Sequence, residues 1–382
     1  MSEPPDIHLR RAADELSAQP QGTVSIVALG DLMLSGEWDD LGARDAVADA
    51  LGELTPLCEN DLVIANLEVT CQGSEGTIAK EPRVIGQPRT LQQALRALRV
   101  DIANLANNHT FDALRSGYEE VRRILEQGRI RFLGAGETLA AASRPLFFER
   151  DGLRFGFLSY TALDTRPSHV ASADGYGVNP LEAARALEEA ASWSQNVDHL
   201  IISLHWGVEY CHLPSPDQIR LARALIDRGA RLVIGHHAHV VQGVEAWNDG
   251  AILYNLGNAV TTDLEIDGRP AIRATPSARS SFLARATFGK TRLENVELLP
   301  FYAGPGHVTV GDAAARTLLE RANAELARGV TDARWRRVRL YEDVILRTLR
   351  KLHPRVIGSV RPRHVAKVFL NLWRAARGRG PA

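Results

Sequence analysis

Short apolar runs that end in Asp, Asn, Glu or His constrain the fold of this chain more than any other feature. Segments with helical periodicity separate most of these runs, and that alternation is typical of α/β domains. The sequence therefore predicts an α/β core with a largely β second half. The five runs that end in polar residues cover residues 24–29, 62–65, 102–106, 199–204 and 231–234.

Helices and further strands are predicted between and after these runs. Two apolar segments flank Asp151-Gly152, a dipeptide that favours a tight hairpin turn. Residues 70–89 lack periodicity and contain Gly and Pro, so a long loop is predicted there. Helices are predicted at 43–54, 90–99, 114–127, 181–194 and 218–228, and strands at 147–149, 154–160, 251–255, 282–287 and 293–299.

The polar residues that follow the apolar runs have the chemistry of a metal site. In open α/β sheets, ligands bind beside the carboxyl ends of the strands. Carboxylate, amide and imidazole groups without thiolates suit Mn, Fe, Zn or Mg. The sequence therefore predicts one or two divalent ions, and two ions would need a bridging carboxylate and could generate hydroxide near neutral pH. The candidate residues are Asp31, Asn66, Glu68, Asn107, Asn108, His109, His205, His236, His237 and His239.

Most of these residues also have a purely structural explanation when they are taken singly. Asp31 can cap a helix, His109 and Asp112 can pair within a turn, and His205 can be a core residue beside Trp206. The run at 236–239 differs, because three histidines within four residues at a strand end are seldom core residues. A site that holds no ion remains an alternative.

Charge is distributed unevenly along the chain. The net charge is −1, which gives no reason to expect a nucleic-acid partner. Residues 331–382, however, hold 14 Lys or Arg and 3 Asp or Glu, a net charge of +11. Two alternatives stay open for this segment: helices packed on the acidic body, or a surface for an acidic peptide, a polymer or an anionic membrane. One apolar stripe comprises Trp335, Val338, Tyr341, Ile345, Leu349 and Leu352, and a second comprises Val365, Val368, Phe369, Leu372 and Trp373.

We predict three regions: a polar arm at 1–21, the α/β domain at 22–310 and a helical, Arg-rich extension at 311–382. The three cysteines, Cys58, Cys71 and Cys211, form no CxxC pair, and the first residues lack an apolar signal-like segment. A cytoplasmic location is therefore expected.

Six segments occur in an order that resembles the CapA family. The resemblance covers residues 22–262 and extends more weakly to about residue 300. CapA-like proteins are associated with poly-γ-glutamate capsule biosynthesis, and their domain resembles the calcineurin-like metallophosphoesterase fold. The resemblance thus implies a sandwich of two mixed β-sheets flanked by helices. The segments are VALGDLML, VIANLEVT, NLANNHTFD, SLHWGVEY, VIGHHAHVVQGVE and YNLGNAV.

The resemblance also implies roles for the candidate residues. Asp31 and His239 would bind a first ion, and Glu68, or Asn66 beside it, would bridge to a second. Asn108, His205 and one histidine of the 236–237 pair would hold the second ion, and the spacing favours His237. His109 falls where the superfamily keeps its general acid, and Asp112 could orient it. Met33 stands where phosphoesterases usually have a histidine.

Three functions follow from these residues. The first is a metal-dependent hydrolase or transferase that acts on a peptide or a γ-glutamyl polymer. The second is a Cα epimerase or isomerase on the same fold, with Asp31, Glu68, His109 and His239 as acids and bases. The third is a non-catalytic partner of a polymer synthase, bound to an acidic chain or a membrane through 331–382. Loops 70–89 and 161–179 are expected to border the cleft, where Lys80, Arg83 and Arg166 are interpreted as solvated charges.

Overall fold

The computed structural model describes residues 4–59, 61–266 and 269–342. Its strands are β1 (Asp6–Leu9), β2 (Val24–Leu32), β3 (Leu62–Asn66), β4 (Thr70–Cys71), β5 (Ile85–Gly86), β6 (Ile102–Asn104), β7 (Arg131–Leu133), β8 (Ala135–Gly136), β9 (Leu146–Arg150), β10 (Leu153–Thr161), β11 (Gly177–Val178), β12 (His199–His205), β13 (Ala230–His236), β14 (Val244–Trp247), β15 (Gly250–Leu253), β16 (Asn258–Val260), β17 (Leu264–Ile266), β18 (Arg269–Ile272), β19 (Ser280–Phe288), β20 (Leu293–Gly304) and β21 (His307–Val310). Its helices are α1 (Glu37–Ala43), α2 (Val47–Ala50), α3 (Pro88–Ala97), α4 (Leu114–Gln127), α5 (Leu139–Ala142), α6 (Ala183–Trp193), α7 (Pro216–Asp227), α8 (Pro276–Arg279), α9 (Ala313–Ala327) and α10 (Asp332–Arg339).

The first large sheet has the strand order β1-β20-β19-β2-β3-β6-β7, with β16 added beside β2 and β21 beside β20. Strands β2, β3, β6 and β7 run parallel, whereas β19 is antiparallel to β2 and to β20. The carboxyl ends of the parallel strands therefore lie at one edge. Strand β1, from the predicted arm, pairs with β20 at the far side of this sheet.

The second large sheet has the order β14-β15-β13-β12-β10-β9. Strands β10, β12, β13 and β15 are parallel, and the outer strands β9 and β14 are antiparallel to their neighbours. The β9–β10 hairpin was predicted from Asp151-Gly152, and both residues have the positive φ that a two-residue type I′ turn requires.

Three hydrophobic clusters make this a four-layer sandwich. In β2, Ile26 and Ala28 point into the cluster between the two sheets, while Val27 and Leu29 join a cluster that includes side chains of α1 to α4. A third cluster joins α6 and α7 to the outer face of the second sheet. The predicted fold class, two mixed sheets flanked by helices, is confirmed.

The continuous helix predicted at 43–54 is wrong. The left-handed backbone of Asp45, with φ 56°, follows the end of α1, and only the four-residue α2 follows before a 3₁₀ turn at Thr55–Cys58. The apolar spacing still marked buried side chains, since Val47, Leu51 and Leu54 are fully buried. Burial periodicity therefore identified the buried face without specifying a single helix.

The described part of the C-terminal extension is helical. Helix α9 lies against β14, β19 and β20, and α10 ends in Arg336, Arg337 and Arg339. Residue 345 and those after it in the two predicted apolar stripes lie outside the described residues. Within the described ranges, no helix is both long and apolar enough to cross a membrane.

Two glycines let one loop approach the ends of both sheets. A Cβ atom on Gly30 would lie 2.0 Å from the main-chain oxygen of Gly257, and one on Gly235 would lie 1.9 Å from that of Tyr254. These distances are far below van der Waals contact. The segment around residues 254–257 can therefore lie against the strand ends just before Asp31 and His236 only because both positions lack a side chain.

We expect Gly30→Ala to lower the free energy of unfolding by more than about 2 kcal/mol, because its methyl group would collide with backbone. Gly128→Ala is the matched control: Gly128 has a φ of −74°, and its added Cβ would meet mainly the flexible tip of Ile130. Urea unfolding of both variants measures the difference. Equal stability of the two variants would contradict the close approach.

Candidate metal centre

The two sheets deliver their polar strand ends to one buried place. Asp31 and Asn66 are register partners at the ends of β2 and β3, and His205 and His236 are partners at the ends of β12 and β13. The main-chain N–H of His237 donates a hydrogen bond to Asp31 Oδ2 at 3.2 Å, which joins the sheets at this edge. The predicted convergence of these residues is therefore present.

Glu68 occupies the middle of this cluster. Its side chain is completely buried, and neither carboxylate oxygen has a hydrogen-bond partner among the described residues. Its Oε1 atom lies 3.4 Å from His205 Nε2, 3.8 Å from His239 Nε2 and 4.0 Å from His109 Nε2. Burial and the nearby charge of Asp31 raise the pKa of Glu68 well above its ordinary value. A buried carboxylate without donors is costly unless a cation compensates it.

Two groups of side chains among the described residues can hold an ion. One consists of Glu68, His205 and His237, and the other of Asp31, Glu68 and His239. Within each group the possible ligand atoms all lie within 4.8 Å of one another. Glu68 belongs to both groups, which is the position of a bridging carboxylate. The residues therefore fit divalent ions with oxygen and imidazole ligands.

Asp31 is held ionised by its surroundings. It accepts a hydrogen bond from Asn66 Nδ2 at 2.8 Å, and its oxygens lie 3.1 Å from His236 Nδ1 and 3.3 Å from His239 Nδ1. Burial acts to raise the pKa of Asp31, but the contacts with His236 and His239 outweigh it and hold the pKa well below its usual range. An ionised carboxylate is the form that binds a cation.

The histidines differ in protonation. Burial lowers the pKa of His237 to about 3 and that of His205 well below its ordinary value, so both are neutral, as metal ligands must be. Burial also disfavours charge on His239, but Glu68 and Asp31 outweigh it and raise its pKa to about 10. The negative surroundings that favour a proton on His239 also favour a metal cation.

His236 lies outside both groups. Its Nδ1 atom faces Asp31 Oδ1, and its main-chain oxygen accepts a hydrogen bond from the main-chain N–H of Trp206. Of the 236–237 pair, the geometry thus brings His237 to the ligand group with His205. Asn108 stands beside them, with its Oδ1 atom 2.7 Å from His205 Nε2.

Asn66 forms part of a buried amide network. Its Oδ1 atom accepts hydrogen bonds from Asn104 Nδ2 at 2.9 Å and from Asn107 Nδ2 at 3.4 Å, while its Nδ2 atom donates to Asp31. That oxygen therefore has hydrogen-bond partners without an ion, whereas the Glu68 oxygens have none among the described residues, and Glu68 belongs to both candidate groups.

Sequence reasoning did not assign Asn104 or Asn258 to the site. Asn104 connects Asn66 to Ser203, and Asn258 Oδ1 lies 2.9 Å from His239 Nδ1, which orients that ring. The signal for Asn104 was a polar residue inside an apolar run. Asn258 stands in the quoted YNLGNAV segment, where its role was not assigned.

His109 forms a tight pair with Asp112. Its Nδ1 atom lies 2.5 Å from Asp112 Oδ2, and that oxygen also accepts a hydrogen bond from the main-chain N–H of Val84 at 2.9 Å. The opposite ring atom, Nε2, faces Glu68. The pair predicted from the spacing of these residues is therefore formed, and it presents one ring nitrogen to the centre.

Met33 supplies no ligand. Its side chain is buried in the hydrophobic cluster beneath α1 to α4. The group around Asp31 consequently has one imidazole, from His239, whereas the group around His205 has two.

The chain belongs to the family described as bacterial capsule synthesis protein PGA_cap, which it matches over residues 25–263, more than half of its length. This match confirms the CapA-type resemblance inferred from the six motifs.

Individual relatives are similar at modest identity. The capsule biosynthesis protein CapA of Bacillus anthracis is 26% identical over 62% of this chain and 59% of its own length. The PGA biosynthesis protein CapA of Bacillus subtilis is 27% identical over 61% of this chain and 62% of its own length. A probable polyglutamine synthesis accessory protein of Mycobacterium tuberculosis is 28% identical over 65% of this chain and 68% of its own length. The chain thus spans about three fifths of the two Bacillus proteins.

Solved structures with a similar fold include a putative 5′-nucleotidase from Staphylococcus aureus, at 14% identity and a TM-score of 0.47 over 79% of this chain and 58% of that one. A hypothetical protein from Thermus thermophilus has 17% identity and a TM-score of 0.45 over 74% of this chain and all of that one. These likenesses say nothing about substrate or reaction.

Glu68→Gln should stabilise the metal-free protein. The pKa of Glu68 is raised by folding, so its ionised form opposes folding at neutral pH, and we expect the variant to gain roughly 1–3 kcal/mol in chelator. Added Mn²⁺ or Zn²⁺ should raise the melting temperature of the wild type but not that of the variant. Thermal unfolding with and without metal measures both effects.

Glu297→Gln is the control with the opposite sign. Glu297 is also buried, but it accepts hydrogen bonds from Arg10 and Ser17 that outweigh burial and lower its pKa. Its stabilisation is present above the pKa of the unfolded chain and is lost as the pH falls, so at neutral pH this variant should lose roughly 1–3 kcal/mol. Destabilisation of both variants in chelator would contradict the account of Glu68.

Proposed function

We propose that this chain is a metal-dependent hydrolase- or transferase-type enzyme that acts on a peptide or γ-glutamyl amide, with a CapA-like role in poly-γ-glutamate synthesis. The observation that carries the proposal is the buried Glu68 carboxylate, which has no hydrogen-bond partner among the described residues and belongs to both groups of possible ligands. The family match and the names of the relatives support the choice of substrate class.

The residues that would hold ions follow from the two groups. Asp31 and His239 would bind the first ion, His205 and His237 the second together with the Asn108 oxygen, and Glu68 would bridge them. Divalent ions held there would lower the pKa of a bound water and stabilise a developing oxyanion. Asn66 and Asn258 orient Asp31 and His239 through their hydrogen bonds.

In this proposal, His109 transfers a proton. Because Asp112 accepts the Nδ1 proton, His109 Nε2 is the ring nitrogen left to act on a substrate beside Glu68. In amide hydrolysis, the attacking water loses one proton to solvent and forms the C–O bond, the C–N bond breaks, and a proton carried on His109 Nε2 passes to the leaving nitrogen. Asp112 fixes the orientation of the ring without contacting the substrate.

The positive charge of helix α10 favours an acidic binding partner. Its last turn carries Arg336, Arg337 and Arg339. The binding partner that we propose for the segment beginning there is an acidic peptide, a γ-glutamyl polymer, or the synthase or membrane that carries it.

A second candidate, a Cα epimerase, is favoured by a separate observation. Two carboxylate–imidazole pairs, His109 with Asp112 and His239 with Asp31, present their Nε2 atoms to the same Glu68 oxygen at 4.0 Å and 3.8 Å. One pair could remove a Cα proton and the other could return one, if the substrate lay between them. Activity that resists chelation and incorporates solvent deuterium at one Cα would support this candidate over the first.

Purified protein should contain close to two equivalents of transition metal per chain. His239→Ala removes a ligand of the first group, and we expect it to lower the metal content by about one equivalent or more. His307→Ala is the control, because His307 is exposed and belongs to neither group. Elemental analysis after dialysis measures all three proteins. Metal well below one equivalent in the wild type, not restored by added Mn²⁺ or Zn²⁺, contradicts the metal-dependent proposal.

His109→Gln should abolish most activity without releasing metal. Loss of a positioned proton donor is expected to lower kcat on γ-glutamyl peptides by about 10²–10⁴-fold. His169→Gln is the control, because His169 packs against the rings of Phe111 and Tyr176 and belongs to neither candidate ligand group. Hydrolysis rates and metal contents are measured together, and full activity in His109→Gln would rule out its role as the proton donor.

A further inference from the structure

Lys80 connects loops from the two sheets at the rim of the centre. It lies in the loop between β4 and β5, and its Nζ atom donates hydrogen bonds to the main-chain oxygens of Asn108 at 3.3 Å and Arg166 at 3.2 Å. Asn108 follows β6 of the first sheet and Arg166 follows β10 of the second. The side chain is half-buried rather than extended into solvent, unlike the solvated charge expected from the sequence.

The loop around Lys80 is hydrogen-bonded to Asp112, the partner of His109. The main-chain N–H of Ile78 donates to the main-chain oxygen of Asp112 at 3.0 Å, and that of Val84 donates to Asp112 Oδ2. Arg83 also binds Thr77 Oγ1 at 2.6 Å and the main-chain oxygen of Ile78 at 3.2 Å. The loop that carries Lys80 is therefore held by Asp112, the same residue that orients His109.

The two acceptors do not use the full hydrogen-bonding capacity of Lys80. Both are neutral carbonyl oxygens, whereas an ammonium group has three N–H bonds and a full positive charge. Burial lowers the pKa of Lys80, and the charges of Asp112, Glu209 and Glu68 act in the opposite direction. A partly desolvated ammonium group with capacity for one more acceptor interacts most strongly with an anionic oxygen.

We propose that Lys80 binds an oxyanionic group of the substrate, a carboxylate or a phosphate, and thereby determines specificity at the rim of the Glu68 centre. The proposal rests on the proposed function in one respect, namely that the substrate lies beside Glu68. A carboxylate one residue along a γ-linked peptide, or a phosphate on the leaving group, would then be fixed next to Asn108 and His109. An uncharged analogue would lose this contact.

The test compares charged and uncharged probes at equilibrium. Isothermal calorimetry gives the Kd of tri-γ-glutamate, of its tri-α-amide and of inorganic phosphate for the full chain, Lys80→Met and Lys290→Met. Lys290 is the matched control, because it is an exposed lysine in the β19–β20 turn. We expect wild type and Lys290→Met to prefer the acid over the amide by about tenfold or more, as a charge-assisted contact would give.

Lys80→Met should lose this preference while it binds the amide as the wild type does. If only the affinity for phosphate falls in Lys80→Met, the anion that Lys80 binds is a phosphate. An equal fall for acid and amide would show that Lys80 only joins the two loops, and it would overturn the proposal. So would a wild type that binds neither peptide and binds phosphate independently of Lys80.

The measurement is separate from the test of the proposed function. Binding is read without turnover, so an inactive or metal-free wild type can still show the Lys80-dependent preference. Melting temperature and metal content of Lys80→Met show whether the variant is folded. If Lys80→Met is unfolded, Lys80→Gln is used in its place, because it retains a polar donor for the two carbonyl oxygens.

Discussion

One buried ionisable group is the constraint around which the rest of this structure is arranged. Glu68 is a buried carboxylate that faces three imidazole nitrogens and accepts no hydrogen bond from the described residues. A fold that keeps such a group accepts a cost of several kcal/mol unless a cation balances it. Of the neighbouring groups, His239 responds most directly, because Glu68 and Asp31 raise its pKa to about 10. The contacts with His236 and His239 hold the pKa of Asp31 low, and burial keeps His237 neutral.

The architecture of the sandwich brings the residues of this cluster together. Parallel strands in each sheet end at the same edge, and the hydrogen bond from His237 to Asp31 connects the two sheets there. Gly30 and Gly235 leave room for the segment around residues 254–257. The next residue, Asn258, orients His239. The positions of the ligand groups therefore depend on close backbone packing as well as on the polar network.

Local sequence pattern predicted the longer strands of both sheets, most of the longer helices and the polar residues at the strand ends, because burial periodicity and polar termination are encoded within a few residues. It missed the short strands β1, β7, β14, β16 and β21 of the same sheets. It did not predict the break at Asp45, since apolar spacing is the same for one helix and for two short ones. Nor could it show that Glu68, unlike Asn66, has side-chain oxygens without a hydrogen-bond partner among the described residues. That difference arises from Asn104 and Asn107, which donate hydrogen bonds to the Asn66 oxygen from separate positions in the chain. Lys80 was misjudged for the same reason, because its acceptors lie in two distant loops.

The most direct test of the central claim is anomalous X-ray diffraction from crystals of the protein grown with Mn²⁺. The account predicts two anomalous peaks on either side of the Glu68 carboxylate, one beside Asp31 and His239 and the other beside His205 and His237. Peaks that do not contact Glu68, or the absence of any peak at this edge of the sheets at saturating Mn²⁺, would contradict the assignment of Glu68 as a bridging ligand.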